Sequence, residues 1–102
     1  MGKTVLRNIT IQLPSTVVET ISNREILSLL LDKAFGKKEY YRSKCRIMEE
    51  KYHTSFPVYK RSVEQAQEEN FTAWDDLLLW EGYELAYQEW GRKFEELRQC
   101  IA

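Results

Sequence analysis

Residues 9–21 read ITIQLPSTVVETI, and the spacing of their apolar side chains changes at Pro14. Up to Leu13 apolar and polar residues alternate, as in a strand that buries one face. After Pro14 the apolar residues fall at the three- and four-residue spacing of a helix. Because proline donates no backbone hydrogen bond, Pro14 ends the strand. The stretch therefore predicts one strand, over about residues 4–13, followed by a short helix.

A lone strand at the start of a helical chain needs a second strand, because its backbone groups cannot bond to each other. The simplest partner is the same strand of another copy of the chain, related by a twofold axis. We therefore expect a homodimer whose two N-terminal strands form an antiparallel ribbon.

The rest of the chain predicts two long helices. Apolar residues recur about every 3.5 residues from Leu27 to Tyr52 and again from Trp80 to Leu97. Two such helices with a short connection pack as an antiparallel hairpin. Gly36 is the weak point of the first helix, and it either costs about 1 kcal/mol there or divides the helix in two.

The predicted fold class is thus mainly α with one N-terminal β-strand: strand, short helix, long helix, then a helical hairpin, with the strand paired across a dimer. Two regions follow from this reading. Residues 1–35 contain the dimerising strand, and residues 36–102 form the long helical hairpin.

Length and composition indicate one soluble domain. The chain has 102 residues, of which 43% are hydrophobic and 30% charged, values typical of globular proteins. No signal peptide and no apolar run of 18 residues is present, so we expect a cytoplasmic protein without membrane contact. Cys45 and Cys100 lie far apart and outside any CxxC motif, which favours two semi-buried thiols over a disulfide or a metal site.

Charge is divided unequally along the chain. Residues 1–61 contain 12 Lys and Arg against 6 Asp and Glu, whereas residues 62–102 contain 3 against 10. This division predicts a basic surface for an anion such as nucleic acid and an acidic surface for a basic partner. The alternative is that the two halves pack together and neutralise each other.

The sequence does not favour an enzyme. His53, the one histidine, lies at a predicted helix end, where it more often complements the helix dipole. Acid pairs such as Asp75 and Asp76 are adjacent, so on a helix they point about 100° apart. Neither a glycine-rich phosphate loop nor a metal-ligand spacing appears. We expect no catalytic residues, no cofactor and no metal.

The polar face of the predicted strand carries Asn8, Thr10 and Gln12. Short hydroxyl and amide side chains in alternation can bond to base edges, and a two-stranded ribbon fits the major groove. The alternative is that these side chains are only hydrated.

The N-terminal third resembles the ribbon-helix-helix proteins and a group of small prokaryotic antitoxins. The likeness lies in VLRNITIQLP, residues 5–14, and in Ser22-Asn23-Arg24-Glu25-Ile26 at the start of the long helix. It covers roughly the first 35 residues. In such antitoxins the ribbon binds operator DNA, and a C-terminal extension covers a toxin, commonly a small ribonuclease.

This resemblance implies roles for particular residues. Asn8, Thr10 and Gln12 would read bases, and the backbone amides at Ser22 and Asn23 would hold a phosphate. Independently of the resemblance, the basic segment that follows predicts a phosphate-binding stripe. The predicted DNA-binding residues of this basic segment are Lys37, Lys38 and Arg42.

The acidic C-terminal half is predicted to bind the toxin. Tryptophan and tyrosine are enriched at interface hot spots, and acids suit the cationic surface of a protein that cleaves RNA. The predicted partner-binding residues are Trp74, Trp80, Tyr83, Tyr87, Trp90, Glu81 and Glu84. The alternative is that most of these aromatics form the core of the hairpin.

Two functions from different classes follow. The first is an antitoxin-like transcriptional regulator that dimerises through its strand, binds operator DNA and neutralises a toxin, a small ribonuclease by the resemblance. The alternative is a helical adaptor or scaffold protein without a nucleic-acid role, whose strand adds to a partner's sheet.

Overall fold

The computed structural model describes residues 4–101 as an all-helical protein. Four helices follow one another: α1 (Ser15–Val18), α2 (Asn23–Tyr52), α3 (Phe56–Gln65) and α4 (Phe71–Ile101). Helices account for 76% of the described residues, which form no sheet. The molecule is elongated, with extents of 63 × 30 × 21 Å.

The predicted N-terminal strand is absent, so the expected fold class, with a strand paired across a dimer, is wrong. Residues 4–14 have neither helical nor strand structure. Within the described chain, residues 4–13 make no backbone–backbone hydrogen bond. The physical reason is that every other long segment is helical, and a helix satisfies its own backbone groups and offers no ladder. Alternating side chains alone do not make a strand.

Helix α2 begins with a side-chain cap at Ser22. The Ser22 hydroxyl accepts a hydrogen bond from the backbone N–H of Glu25 at 3.1 Å, and Glu25 adds a negative charge to the first turn, where the helix dipole favours it. The helix runs without a break through Gly36 and therefore across the proposed boundary between residues 35 and 36. It ends at His53, which adopts a left-handed conformation with φ of 52°.

Helices α3 and α4 also have local starting signals. Pro57 lies in the first turn of α3, where its missing N–H costs nothing. Before α4, the Asn70 side chain accepts a hydrogen bond from the Ala73 N–H at 3.1 Å. Asparagine is a preferred helix cap, so the break at residues 66–70 separates two well-started helices.

Helices α2 and α4 form an antiparallel hairpin, with α3 lying against α4. Three cross-helix contacts define the direction: Phe35 with Phe94 at 5.6 Å between ring centroids, Arg42 with the Tyr87 ring at 5.9 Å, and Lys51 with Asp76 at 2.7 Å. As residue numbers rise along α2, those of the α4 partners fall. We call the end near α3 the turn end and the end near α1 the open end.

The core lies at the turn end, where three helices meet. Its buried cluster, contributed by α2, α3 and α4, comprises Met48, Tyr59, Val63, Leu77 and Trp80. Elsewhere along the hairpin, buried side chains are Ala34 and Cys45. When two helices pack, each buries only one stripe of its surface. A third helix packed against both encloses the side chains that lie between the first two.

Candidate protein-binding surfaces

The N-terminal arm, residues 4–13, exposes its apolar side chains. Val5 is 79% exposed, Leu6 76% and Ile9 74%. The predicted base readers Asn8, Thr10 and Gln12 are also exposed on this arm. Since the arm is not a strand, the structure does not fix these three side chains on one face.

The other predicted phosphate contacts are scattered. At the start of α2, the Ser22 side chain already binds the Glu25 N–H, and the Glu25 carboxylate lies 3.4 Å from the Ser22 hydroxyl. A negative charge therefore already lies where the backbone amides at Ser22 and Asn23 were expected to hold phosphate. This arrangement opposes binding of a second anion.

The predicted basic stripe is divided between two faces of α2. Lys38 lies with its Nζ 5.4 Å from the centre of the Phe94 ring, and Arg42 pairs with Glu49 at 3.3 Å. Both side chains turn toward α4, while Lys37, about 100° round the helix, is exposed. The structure does not bring the three cations together.

The predicted partner-binding aromatics differ strongly in exposure. Trp80 is fully buried and belongs to the core, whereas Trp74 is 40% exposed. Tyr83, Tyr87 and Trp90 are half-buried along the hairpin. For Trp80 the alternative drawn from the sequence, a core residue, is the one that the structure supports.

The two acids predicted to bind the partner already contact the chain itself. Glu81 pairs with Lys60 of α3 at 3.5 Å. Burial, with Glu84 beside it, raises the pKa of the Cys45 thiol to about 12, so this thiol stays protonated and unreactive at neutral pH. The Lys60–Glu81 and Lys51–Asp76 pairs show part of the basic half neutralising the acidic half.

A polar cluster joins α2 to α4 at the turn end. The Asp76 carboxylate accepts hydrogen bonds from the Lys51 ammonium, at 2.7 Å, and from the Tyr52 hydroxyl. These two bonds lower the pKa of Asp76 below its usual value. Burial and the bond to Asp76 raise the pKa of Tyr52. The cluster is structural, because both partners of the carboxylate come from the neighbouring helix.

Helix α4 carries an exposed apolar stripe that faces away from α2. Its side chains follow helical spacing and are Trp74, Leu78 and Leu85, with Leu78 64% and Leu85 56% exposed. Asp75 and Glu89 are exposed close to the same face. We call these five residues the α4 outer stripe. The sequence pattern places Leu78 and Leu85 on one apolar strip with Trp74, but only Trp74 is among the predicted partner-binding residues.

A groove of about 600 Å³ opens at the turn end, between α3, the connection to α4 and the first turn of α4. We call it the turn-end groove. Aromatic rings and two acids contribute to its lining, and these residues are Tyr52, Tyr59, Phe71, Trp74, Glu68 and Glu69. Of these lining residues, only Trp74 was predicted from the sequence to bind a partner.

A second groove, of about 410 Å³, lies at the open end between α2 and α4. Leu30, Trp90 and Leu97 line it, and Thr4 and Leu6 of the arm reach its edge. Leu6 nevertheless stays 76% exposed. The start of the arm therefore lies beside its own hairpin but is not covered by it.

Within residues 4–101, no three His, Cys, Asp or Glu side chains lie together as a metal ion would need. None of the four helices is long and apolar enough to cross a membrane.

Comparison of the chain with protein-family models, curated proteins and solved structures found no match.

Proposed function

We propose that this chain is an antitoxin-like protein that binds and covers a basic partner protein with its acidic C-terminal half. The observation that carries the proposal is the α4 outer stripe, where Leu78 and Leu85 are more than half exposed beside acidic side chains. Exposed apolar side chains that line up on one face and are bordered by charge mark protein-binding surfaces.

The surroundings of the stripe favour a basic partner. Residues 62–102 have an excess of seven acidic over basic side chains, since they hold 10 acids and 3 bases. Charge of this sign raises the association rate with a cationic protein and selects against acidic ones. A protein that binds RNA is basic where it holds the phosphates, which agrees with the ribonuclease that the resemblance to antitoxins implies. We place this function in the cytoplasm, where the free thiols Cys45 and Cys100 stay reduced.

The first test is the gene next to this one. An antitoxin is expected beside a gene for a small basic ribonuclease, and the two products, expressed together, should co-purify as a complex without ribonuclease activity. A neighbour of another kind, or a nuclease that remains active and separate, contradicts the proposal.

A paired set of variants tests the surface itself. Leu78→Ser with Leu85→Ser should weaken the complex at least tenfold, because both side chains lose buried apolar area. Leu29→Ser with Ile47→Ser is the matched control, since these residues are 62% and 54% exposed on α2. Isothermal titration calorimetry measures both affinities. Equal weakening by the two pairs would show that the stripe has no special role.

Operator binding stays a prediction based on the resemblance. It requires Asn8, Thr10 and Gln12 to reach bases from the arm, and cations that are engaged elsewhere, such as Arg42, to reach phosphates. Binding to the DNA upstream of the gene that weakens steeply with salt would support it. Equal affinity for unrelated DNA would contradict it.

The adaptor is a second candidate, favoured by the length of the molecule. The open end and the turn end lie far apart on a rod whose longest extent is 63 Å, so each end can contact a different protein. An adaptor would form a ternary complex in which both partners stay active, whereas an antitoxin forms a complex in which the nuclease is silent.

A further inference from the structure

The turn-end groove has a rigid aromatic floor. The Tyr59 hydroxyl donates a hydrogen bond to the Ala73 carbonyl at 2.9 Å, and the Tyr52 and Tyr59 rings lie 4.2 Å apart. Tyr59 itself is buried in the core. A floor held in this way needs no ordering when an apolar segment binds, so less affinity is lost than on a flexible surface.

One wall of the groove is an exposed aromatic side chain. Phe71 is 77% exposed, although it stands on the same helix as the fully buried Trp80. An apolar segment lying in the groove would cover Phe71 together with one face of Trp74.

The rim of the groove is acidic. Glu68 and Glu69 line it, and among the described residues no ion pair involves either of them. The nearby cation Lys51 is already held by Asp76 at 2.7 Å. A purely apolar ligand would displace water from the two carboxylates and would offer no hydrogen bonds in place of those that water made. The groove therefore fits an apolar segment that carries a cation, arginine above all, because its guanidinium stacks on rings and bonds to carboxylates.

The arm of the same protein is a segment of this kind. Arg7 stands between Leu6 and Ile9, and both apolar neighbours are about three-quarters exposed. We propose that the arm of one chain occupies the turn-end groove of a second copy. Leu6 and Ile9 lie on the aromatic floor and wall, and the Arg7 guanidinium lies between Glu68 and Glu69.

The geometry places the arm and the groove at opposite ends of one chain. Leu6 of the arm lines the same groove as Leu30 and Leu97 at the open end. Helix α2, with 30 residues, extends roughly 45 Å from there to the turn end at 1.5 Å per residue. Two copies lying side by side in opposite directions bring each arm to the other copy's groove. Both contacts are then made at once, which gives a closed twofold dimer and not an open filament.

The dimer shares Trp74 with the α4 outer stripe but uses neither Leu78 nor Leu85, so variants of these leucines separate the two proposals. Leu78→Ser with Leu85→Ser should keep the dimer and lose the basic partner. Arg7→Glu should abolish the dimer, and its affinity for the basic partner is measured in a separate titration.

Charge exchange tests the proposed contact. Light scattering at about 100 µM protein should give twice the chain mass of 12.2 kDa for the native chain. Arg7→Glu alone, and Glu68→Arg with Glu69→Arg, should each give the single-chain mass, because each places like charges together. All three substitutions in one chain should restore the dimer. The control is Arg24→Glu with Glu89→Arg, which reverses exposed charges outside the contact and should keep it.

A peptide tests the groove without relying on assembly. The probe is a peptide of residues 4–13, added to the Arg7→Glu chain, whose grooves are vacant under the proposal. Nitrogen-15 NMR should show shifts at residues 66–74, and the same peptide with glutamate at position 7 should bind at least tenfold more weakly. A native chain of single mass, a dimer that survives Arg7→Glu, no recovery on charge exchange, or a peptide that shifts other residues each overturns the proposal. Circular dichroism confirms that the variants stay helical.

Discussion

The turn end and the open end are built from the same two helices, yet they are buried to very different degrees. At the turn end α3 lies over the hairpin, and Trp80 and Leu77 are almost completely enclosed. At the open end the equivalent pair, Phe35 and Phe94, is in ring contact at 5.6 Å but remains partly exposed. The comparison shows that a two-helix seam aligns its side chains, while a third element is needed to remove them from water.

The largest expected effect is at Trp80. Its ring contacts Phe56 at 5.6 Å and Tyr59 at 5.3 Å between centroids, so Trp80→Ala should lower the free energy of unfolding by about 3–5 kcal/mol. Phe94→Ala at the open end should cost about 1–2 kcal/mol, because less area is buried there. Urea unfolding followed by circular dichroism compares them, and equal losses would remove the distinction between the ends.

A second effect concerns the polar cluster at the turn end. Asp76→Asn replaces a carboxylate that accepts bonds from Lys51 and Tyr52, and should lower the unfolding free energy by about 1.5–3 kcal/mol at pH 7. Asp75→Asn, an exposed neighbour, should change it by less than about 0.5 kcal/mol.

The same pair of variants predicts a pH dependence. Because the pKa of Asp76 is lower in the folded chain than the usual value of about 3.9, its contribution is fully present above that usual value. It is lost as pH falls through the lower folded pKa. The stability difference between the native chain and Asp76→Asn should therefore shrink on acidification from about pH 6 to below the folded pKa. A constant difference would show that the carboxylate charge does not matter.

A smaller gain in stability is expected when a helical glycine near either end is replaced by alanine. A side-chain carbon added at Gly36 or at Gly82 would meet no atom within 4 Å, so each change to alanine should stabilise the chain by about 0.5–1 kcal/mol. Amide hydrogen exchange shows where the gain appears. If the open end opens on its own, Gly36→Ala should slow exchange around the Phe35–Phe94 contact and leave the turn end unchanged.

The smallest effect on stability is expected at Cys100. This thiol is exposed, whereas Cys45 is buried with its pKa raised to about 12. Cys100→Ser should change the unfolding free energy by less than about 0.5 kcal/mol. A thiol reagent at pH 8 should modify one cysteine per native chain and both in denaturant. Rapid reaction of Cys45 in the native chain would mean that the middle of the hairpin opens.

The sequence predicted the hairpin because the apolar period of about 3.5 residues is a property of each helix alone. It also predicted the helix end at His53, the residue that directly follows α2. It offered a core position for Trp80 only as the alternative to partner binding, because the period identifies a stripe but not the third helix that covers one end of it. Residues of α3, above all Tyr59, cover Trp80. No local sequence pattern predicts that α3 packs against α4.

The surroundings of the predicted site residues differ from the expectation for the same reason. Asn8, Thr10 and Gln12 were placed on one face by alternation, but alternation becomes a strand only where a second strand supplies hydrogen bonds. Lys38 and Arg42 were counted as free cations, although they lie against the rings of Phe94 and Tyr87 on the other helix. Both differences concern contacts between segments distant in sequence, which a single helical or strand period does not contain.

The antiparallel course of the hairpin has a practical consequence for attaching the molecule to a surface. Cys100 is an exposed thiol at the open end, about 29 residues along α4 from Phe71, or roughly 45 Å at 1.5 Å per residue. A maleimide support coupled to this thiol would hold each molecule upright by one end. The opposite end would then point into solution, so a sensor chip made in this way would display one pole of the rod and hide the other.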